Sequence, residues 1–161
     1  MGLQFTKEQS ALLADRESIK VLATVDTAGT PHAVVKQSIY LSSDGNIHYL
    51  ELLESSRTNR NLVEAIWFNR TVSILVKGPG ARSIQIKGRP IRVHITGPLF
   101  DKHYVSVREQ LGDVDLSGVW VIEPDEVTDE NFWSRREIEE SGRSFFRHLD
   151  RLSASGNYTN N

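Results

Sequence analysis

Between Asp44 and Val76 the hydrophobic pattern changes period twice, which forces a strand, a corner and a helix into one short stretch. Asp44-Gly45 is a two-residue turn signal, and Ile47–Leu52 reads as the strand that follows it. Glu54-Ser55-Ser56-Arg57-Thr58 is a polar corner. From about Asn59 to Phe68, Leu62, Val63, Ile66 and Trp67 recur at the spacing of one buried helical face. Asn69-Arg70 breaks that helix, and Val72, Ile74 and Val76 alternate along a further strand, Thr71–Lys77. A helix N-terminus carries unpaired N–H groups and a partial positive charge, so anions settle there. An arginine beside it adds a fork suited to phosphate. Arg57 and Thr58, with Ser56 beside them, are therefore a candidate phosphate site. The competing reading of the same residues is a helix cap with a solvated arginine.

The flanking segments point to a β-rich fold. Thr6 followed by Gln9 has the form of a capping box, opening a short helix through Leu12 and Leu13 to about Arg16. Ile19–Val25 is a mostly apolar strand, and Asp26-Thr27-Ala28-Gly29-Thr30 is a hairpin loop. Pro31 starts one long return strand reaching Leu41, so that three strands form an antiparallel meander. Lys77-Gly78-Pro79-Gly80-Ala81 is a loop. Ile84, Ile86, Ile91, Val93 and Ile95 mark a long strand with a bulge near Gly88-Arg89-Pro90. Phe100–Leu111 reads as a helix with Tyr104, Val107 and Leu111 on one side, and Val119–Ile122 as the last strand, stopped by Pro124. Asn131–Leu152 is helical in pattern, with Phe132, Ile138, Phe145, Phe146, Leu149 and Leu152 apolar. These elements predict a mainly β chain: a closed or nearly closed β-barrel with helices at its corners and a C-terminal helix. One domain spans residues 1–152, and the polar segment 153–161 reads as a disordered tail.

Several chemistries are excluded by what is missing. There is no cysteine, so disulfides, thiolate metal sites and thiol nucleophiles are out. His32, His48, His94, His103 and His148 are scattered with no pair at metal-ligand spacing, so no metal is expected. A net charge of −2 gives no general nucleic-acid surface. No apolar run approaches the ~20 residues of a membrane span, and the N-terminus lacks the apolar core of a signal peptide, which predicts a cytoplasmic protein. No nucleophile elbow and no GxGxxG fingerprint is present. Trp67 and Trp133 read as core or interface packing.

The order and spacing of several pieces resemble the FMN-binding split-barrel family, which includes pyridoxamine 5'-phosphate oxidases and small bacterial FMN-binding proteins. The pieces are Pro31-His32 with Tyr40-Leu41, Asp44-Gly45-Asn46, the block from Ser56 through Asn61 to Leu62, and Asn69-Arg70-Thr71-Val72. Gly78-Pro79-Gly80 is similar to the small FMN-binding proteins in particular, and the resemblance spans about Ile19 to Val127. It implies a six-stranded antiparallel split barrel and a homodimer with FMN at the subunit interface. It further implies that Ser56, Arg57, Thr58 and Asn61 lie at the phosphate corner. Glu51, Leu52 and Leu53 would face the ring edge through their backbone. Val35, Lys36, Gln37 and Ser38 would line the ring or ribityl chain, Ser83 would stand near a flavin-contacting position, and Trp120 would stack from the partner subunit. Lys36 and Gln37 read equally well as the outward face of a half-exposed strand.

The chain also departs from the oxidases. Thr58 stands where they have a lysine, and Arg147-His148-Leu149-Asp150-Arg151 does not reproduce the order of their substrate motif, so vitamin B6 oxidation is not supported. The resemblance implies an oxidoreductase or flavin reductase using a small-molecule electron donor. The alternatives are a non-enzymatic flavin carrier, or a barrel dimer binding haem or a deazaflavin.

Overall fold

Asp26 builds the first hairpin: its Oδ1 accepts from the amides of Ala28 and Thr30 at 2.9 and 2.8 Å, and Gly29 turns the chain at φ 80°. Positive φ is open to glycine without a Cβ penalty. The computed structural model describes residues 2–142. Its element order is α1 (Lys7–Ala14), β1 (Ile19–Val25), β2 (Pro31–Val35), β3 (Ile39–Leu41), β4 (Ile47–Glu51), α2 (Arg57–Trp67), β5 (Val72–Lys77), β6 (Ser83–His94), α3 (Pro98–Leu111), β7 (Gly118–Asp129) and α4 (Phe132–Gly142). The Thr6–Gln9 capping box is present in full.

The strands form one antiparallel sheet of seven in the order β2-β1-β5-β6-β7-β4-β3, not the expected six. The extra strand arises because the return strand after Pro31 divides. Lys36 N–H still donates to Lys20 O on β1, while Ser38 O already accepts from Leu50 N on β4. The chain thus passes from one sheet edge to the other across Gln37, and β2 and β3 do not pair as a meander. Gln37 ties the seam, donating from Nε2 to Ser18 O (3.0 Å) and accepting from Lys20 N (2.9 Å). Lys20 is 7% exposed and donates from Nζ to Ile39 O at 2.9 Å, a second bridge between β1 and β3. Burial lowers the Lys20 pKa, with the charge of Asp15 opposing.

The sheet curls around one core. Leu22, Tyr49, Ile74, Ile86 and Trp120 belong to it, with Leu12 and Leu13 of α1 and Leu62 and Ala65 of α2 packed in the same cluster. Helix α2 sits one step round from the expected face. Thr58, Asn61, Leu62 and Ala65 point inward, while Val63, Ile66 and Trp67 are 41%, 40% and 79% exposed. Asn61 can turn inward because its Nδ2 donates to Thr24 Oγ1 at 2.9 Å. Buried amides of this kind are tolerated when bonded.

Strand β7 runs through Pro124 instead of stopping there. Pro124 faces Gly88 where the β6–β7 register shifts, and a second shift falls between Pro90 and Arg92. A proline needs no partner for an N–H it lacks, and a bulge supplies that setting. Helix α3 buries Val107, while Tyr104 and Leu111 remain 36% and 56% exposed. Helix α4 has no buried residue, and Phe132, Trp133 and Ile138 are each 62% exposed. The expected continuation of this helix to Leu152, the 147–151 segment and the tail lie outside the described residues. No helix among the described residues is long and apolar enough to cross a membrane.

Candidate functional site

Ser56 caps α2. Its Oγ accepts from Asn59 N–H at 3.0 Å, and its carbonyl accepts from Arg60 N–H at 3.2 Å. The amides of Arg57 and Thr58 donate to nothing among the described residues, as expected of the first helical turn. The Arg57 side chain is exposed, and Thr58 is 1% exposed. Arg57 also helps to hold the Asp26 carboxyl below its ordinary pKa, after the larger effect of the Thr30 amide. The corner therefore offers two free N–H groups and a guanidinium to one small region.

Beneath it lies a carboxylate that sequence reasoning placed here only for its backbone. Glu51 is 1% exposed. Its Oε2 accepts from Tyr49 OH and from Ser56 Oγ, both at 2.7 Å, and its Oε1 accepts from Leu53 N–H at 3.0 Å. Lys36 Nζ stands 3.8 Å from Oε1 and 5.4 Å from the Tyr49 ring centroid. Burial first, and Glu51 second, push the Tyr49 hydroxyl pKa far up, so Tyr49 stays a donor. The signal was in the alternation: Ile47, Tyr49 and Glu51 share the inward phase of β4, and a charged residue in that phase demands partners.

Four of the thirteen expected site residues meet in this network. Lys36, Glu51, Leu53 and Ser56 are joined through the Glu51 carboxylate, and Ser38 Oγ donates to Leu50 O at 2.7 Å beside them. Val35 and Leu53 are 60% and 65% exposed, and Leu52 is half-buried between Glu51 and Leu53. The Ser56 hydroxyl is already used in both directions, as acceptor from Asn59 and donor to Glu51. Gln37 serves the seam. Asn61 faces the core side of the curled sheet, which is a half-barrel and not the expected closed or nearly closed barrel, with its Oδ1 lacking a hydrogen bond.

Two residues stand apart. Ser83 pairs with Lys77 on the far side of β5, three strands from β2, or ~14 Å at the usual strand spacing. Trp120 is 1% exposed within the core, and its Nε1 donates to Asn59 Oδ1 at 2.9 Å. A ring so enclosed offers no face to a partner subunit, which corrects the stacking role expected for it.

A second cluster escaped the sequence reading. The Tyr40 hydroxyl lies between His48 Nδ1 and His103 Nε2, joining the β3–β4 hairpin to α3. The hairpin register sets Tyr40 opposite His48, which the Asp44-Gly45 turn makes legible. His103 arrives by tertiary packing. Among the described residues no group of three or more His, Asp or Glu side chains is placed to hold a metal ion.

No protein-family model and no curated protein sequence matches the chain. Solved structures do match in shape. HupZ of Group A Streptococcus superposes with a TM-score of 0.68 at 18% identity, covering 80% of this chain and 96% of its own. A candidate pyridoxamine 5'-phosphate oxidase from Lactobacillus delbrueckii gives 0.61 at 21% identity, covering 78% and 93%. An FMN-binding protein from Syntrophomonas wolfei gives 0.62 at 15% identity, covering 75% and 82%. HutZ, the haem storage protein of Vibrio cholerae, has a TM-score of 0.56 at 17% identity, covering 79% and 95%. The chain has the fold these proteins share, which is the fold its sequence pattern resembles.

Proposed function

We propose that this chain is a flavoprotein holding FMN, with the phosphate at the start of α2 and the ring beside the β2–β3 crossing, and that it acts as an oxidoreductase or flavin reductase on a small electron donor. The observation that carries the reading is the pair of unpaired amides, Arg57 and Thr58, beside an exposed guanidinium. A phosphate monoester asks for several convergent donors, and this corner has them. Its one buried carboxylate, Glu51, is already matched by three donors and Lys36. Exposed Val35 and Leu53 supply apolar surface for a planar ring. Bound flavin supplies the hydride and electron chemistry itself. The chain's part is to bind, orient and shield it, and Lys36 places a cation on the crossing where the ring is proposed to lie.

A homodimer completes the site in this reading. Val35 and Leu75 flank Val21 on the outer sheet face, and with Ile19 they are 60%, 37% and 51% exposed. A second copy laid on that face would cover it and wall the ring.

The absorption spectrum of the protein as purified tests the reading. Flavin maxima at about 370 and 450 nm are the expected result. A haem spectrum would move the protein toward the ligand named for HutZ, and a colourless protein that takes up no added FMN would sink the proposal. Anaerobic NADPH then separates an enzyme, whose flavin bleaches, from a carrier, whose flavin bleaches only with dithionite.

A further inference from the structure

The phosphate corner is assembled on a buried carboxylate, and that arrangement has a consequence for ligand choice. Glu51 lies below the surface at the end of β4 and reaches three different parts of the corner. It accepts from the Ser56 hydroxyl, from the Leu53 amide and from Tyr49, and it pairs with Lys36. The Ser56 hydroxyl has one proton, and Glu51 takes it, which leaves the oxygen's lone pairs to cap α2 at Asn59. The hydroxyl rotor is therefore fixed, and so is the first turn that presents the Arg57 and Thr58 amides.

Resting on the FMN reading above, we propose that Glu51 is a positioning residue for phosphate recognition: through Ser56 and Leu53 it sets the helix start, and so the preference for a phosphorylated flavin over its unphosphorylated form. A glutamine replaces it only in part. Its oxygen can keep the Leu53 amide, but its NH2 then meets the Tyr49 and Ser56 hydroxyls only if both turn from donor to acceptor. The Ser56 hydroxyl proton is then no longer held, and the rotor that fixes the helix start is released. Removing the charge also relieves repulsion of a phosphate. Lys36 Nζ, 3.8 Å away, offsets part of that charge, and across one helical turn the relief is about threefold per phosphate charge even in bulk water and more for a carboxylate this buried. A lost hydrogen bond to an anion weakens binding by about tenfold or more, and Ser56→Ala, which keeps the Glu51 charge, reads that misplacement without the relief.

The test is the ratio of dissociation constants for riboflavin and FMN, measured by flavin fluorescence on the intact chain. Riboflavin shares the ring and ribityl chain and lacks only the phosphate. The wild type is expected to favour FMN. Glu51→Gln should lower that preference severalfold, with a larger loss for FMN than for riboflavin, whereas general loosening of the fold would weaken both ligands alike. Ser56→Ala cuts the link from the surface side and carries the test if Glu51→Gln does not fold. It should lower the preference by a similar factor, and the double variant should lose no more than either single one. A wild type that prefers FMN, with variants that keep the preference, would overturn the role of Glu51 alone. A wild type indifferent to the phosphate would overturn the phosphate site itself and this role with it.

Discussion

The Tyr40 hydroxyl lies 2.9 Å from His48 Nδ1, and on its other side it lies 2.5 Å from His103 Nε2. One phenolic proton serves two nitrogens, so Tyr40 donates to one imidazole and accepts an N–H from the other. Protonating both imidazoles would turn both nitrogens into donors, and the buried Tyr40 hydroxyl proton would lose both of its acceptors. Burial is the main cause that lowers the pKa of both histidines. For His48, Asp44 opposes it and His94 adds to it, and for His103, Lys102 and His48 add to it. Burial, with Asp44, pushes Tyr40 up to about 12, so Tyr40 keeps its proton.

The sign of the pH effect follows. Both histidines titrate lower in the folded chain than in the unfolded chain, whose value is 6.5. The unfolded state therefore binds more protons in the acid range, and stability rises with pH there. The contribution is intact above about pH 6.5 and is lost as pH drops through the folded values. Urea midpoints measured from pH 7.5 to 5 should decline, and Tyr40→Phe should cost about 1 kcal/mol at pH 7.5. A midpoint that rose on acidification would contradict the assignment.

Arg57→Ala should weaken FMN by about 1.5–3 kcal/mol, the worth of a hydrogen bond to a charged group. The side chain is exposed and no buried contact is lost, so the melting temperature without ligand should hardly move. Fluorescence titration reads the affinity. An unchanged titration places the phosphate elsewhere on the surface.

What the sequence revealed depended on how local the physics was. The Thr6–Gln9 box, the Asp26 hairpin loop and the strand–corner–helix unit each rest on contacts a few residues apart, and each is where it was expected. The division of residues 31–41 was hidden, because Lys36 and Ser38 answer to different strands, β1 and β4, that are distant in sequence. Helix α2 was assigned the wrong face because Val63, Ile66 and Trp67 are apolar, while the inward positions Thr58 and Asn61 are polar. Only the hydrogen bond from Asn61 to Thr24 on β1 explains that choice. The resemblance sets Leu53 and Lys36 along the ring, and the alternation on β4 marks Glu51 as inward, yet that this carboxylate joins the two depends on tertiary contacts between β4 and the β2–β3 crossing.

Trp120→Ala should destabilise the chain by about 3–5 kcal/mol, the usual cost of truncating a large core aromatic. The ring is fully enclosed and its Nε1–H satisfies Asn59 Oδ1 just inside α2. Denaturant unfolding of the unliganded protein reads this directly. If Trp120 instead served a cofactor from across a dimer interface, the variant would lose ligand affinity and keep its stability.

Gly88→Ala tests how β6 and β7 pass each other. A Cβ at Gly88 would lie 2.4 Å from Glu123 O and 3.1 Å from both Glu123 C and Ile122 Cγ2. The nearest of these is backbone and cannot swing aside. Opposite Gly88 stands Pro124, and Asp125 is the extra residue of the bulge, held by Arg89 at 3.1 Å. Relieving the clash means spreading the two strands where the register already shifts, at a cost of about 1–3 kcal/mol for overpacking. Urea unfolding should show that loss, and amide exchange should be faster at Lys87 and Arg89 than at Ile74 on β5. A variant as stable as the wild type would mean that the strands are farther apart at this point than the bulge geometry requires.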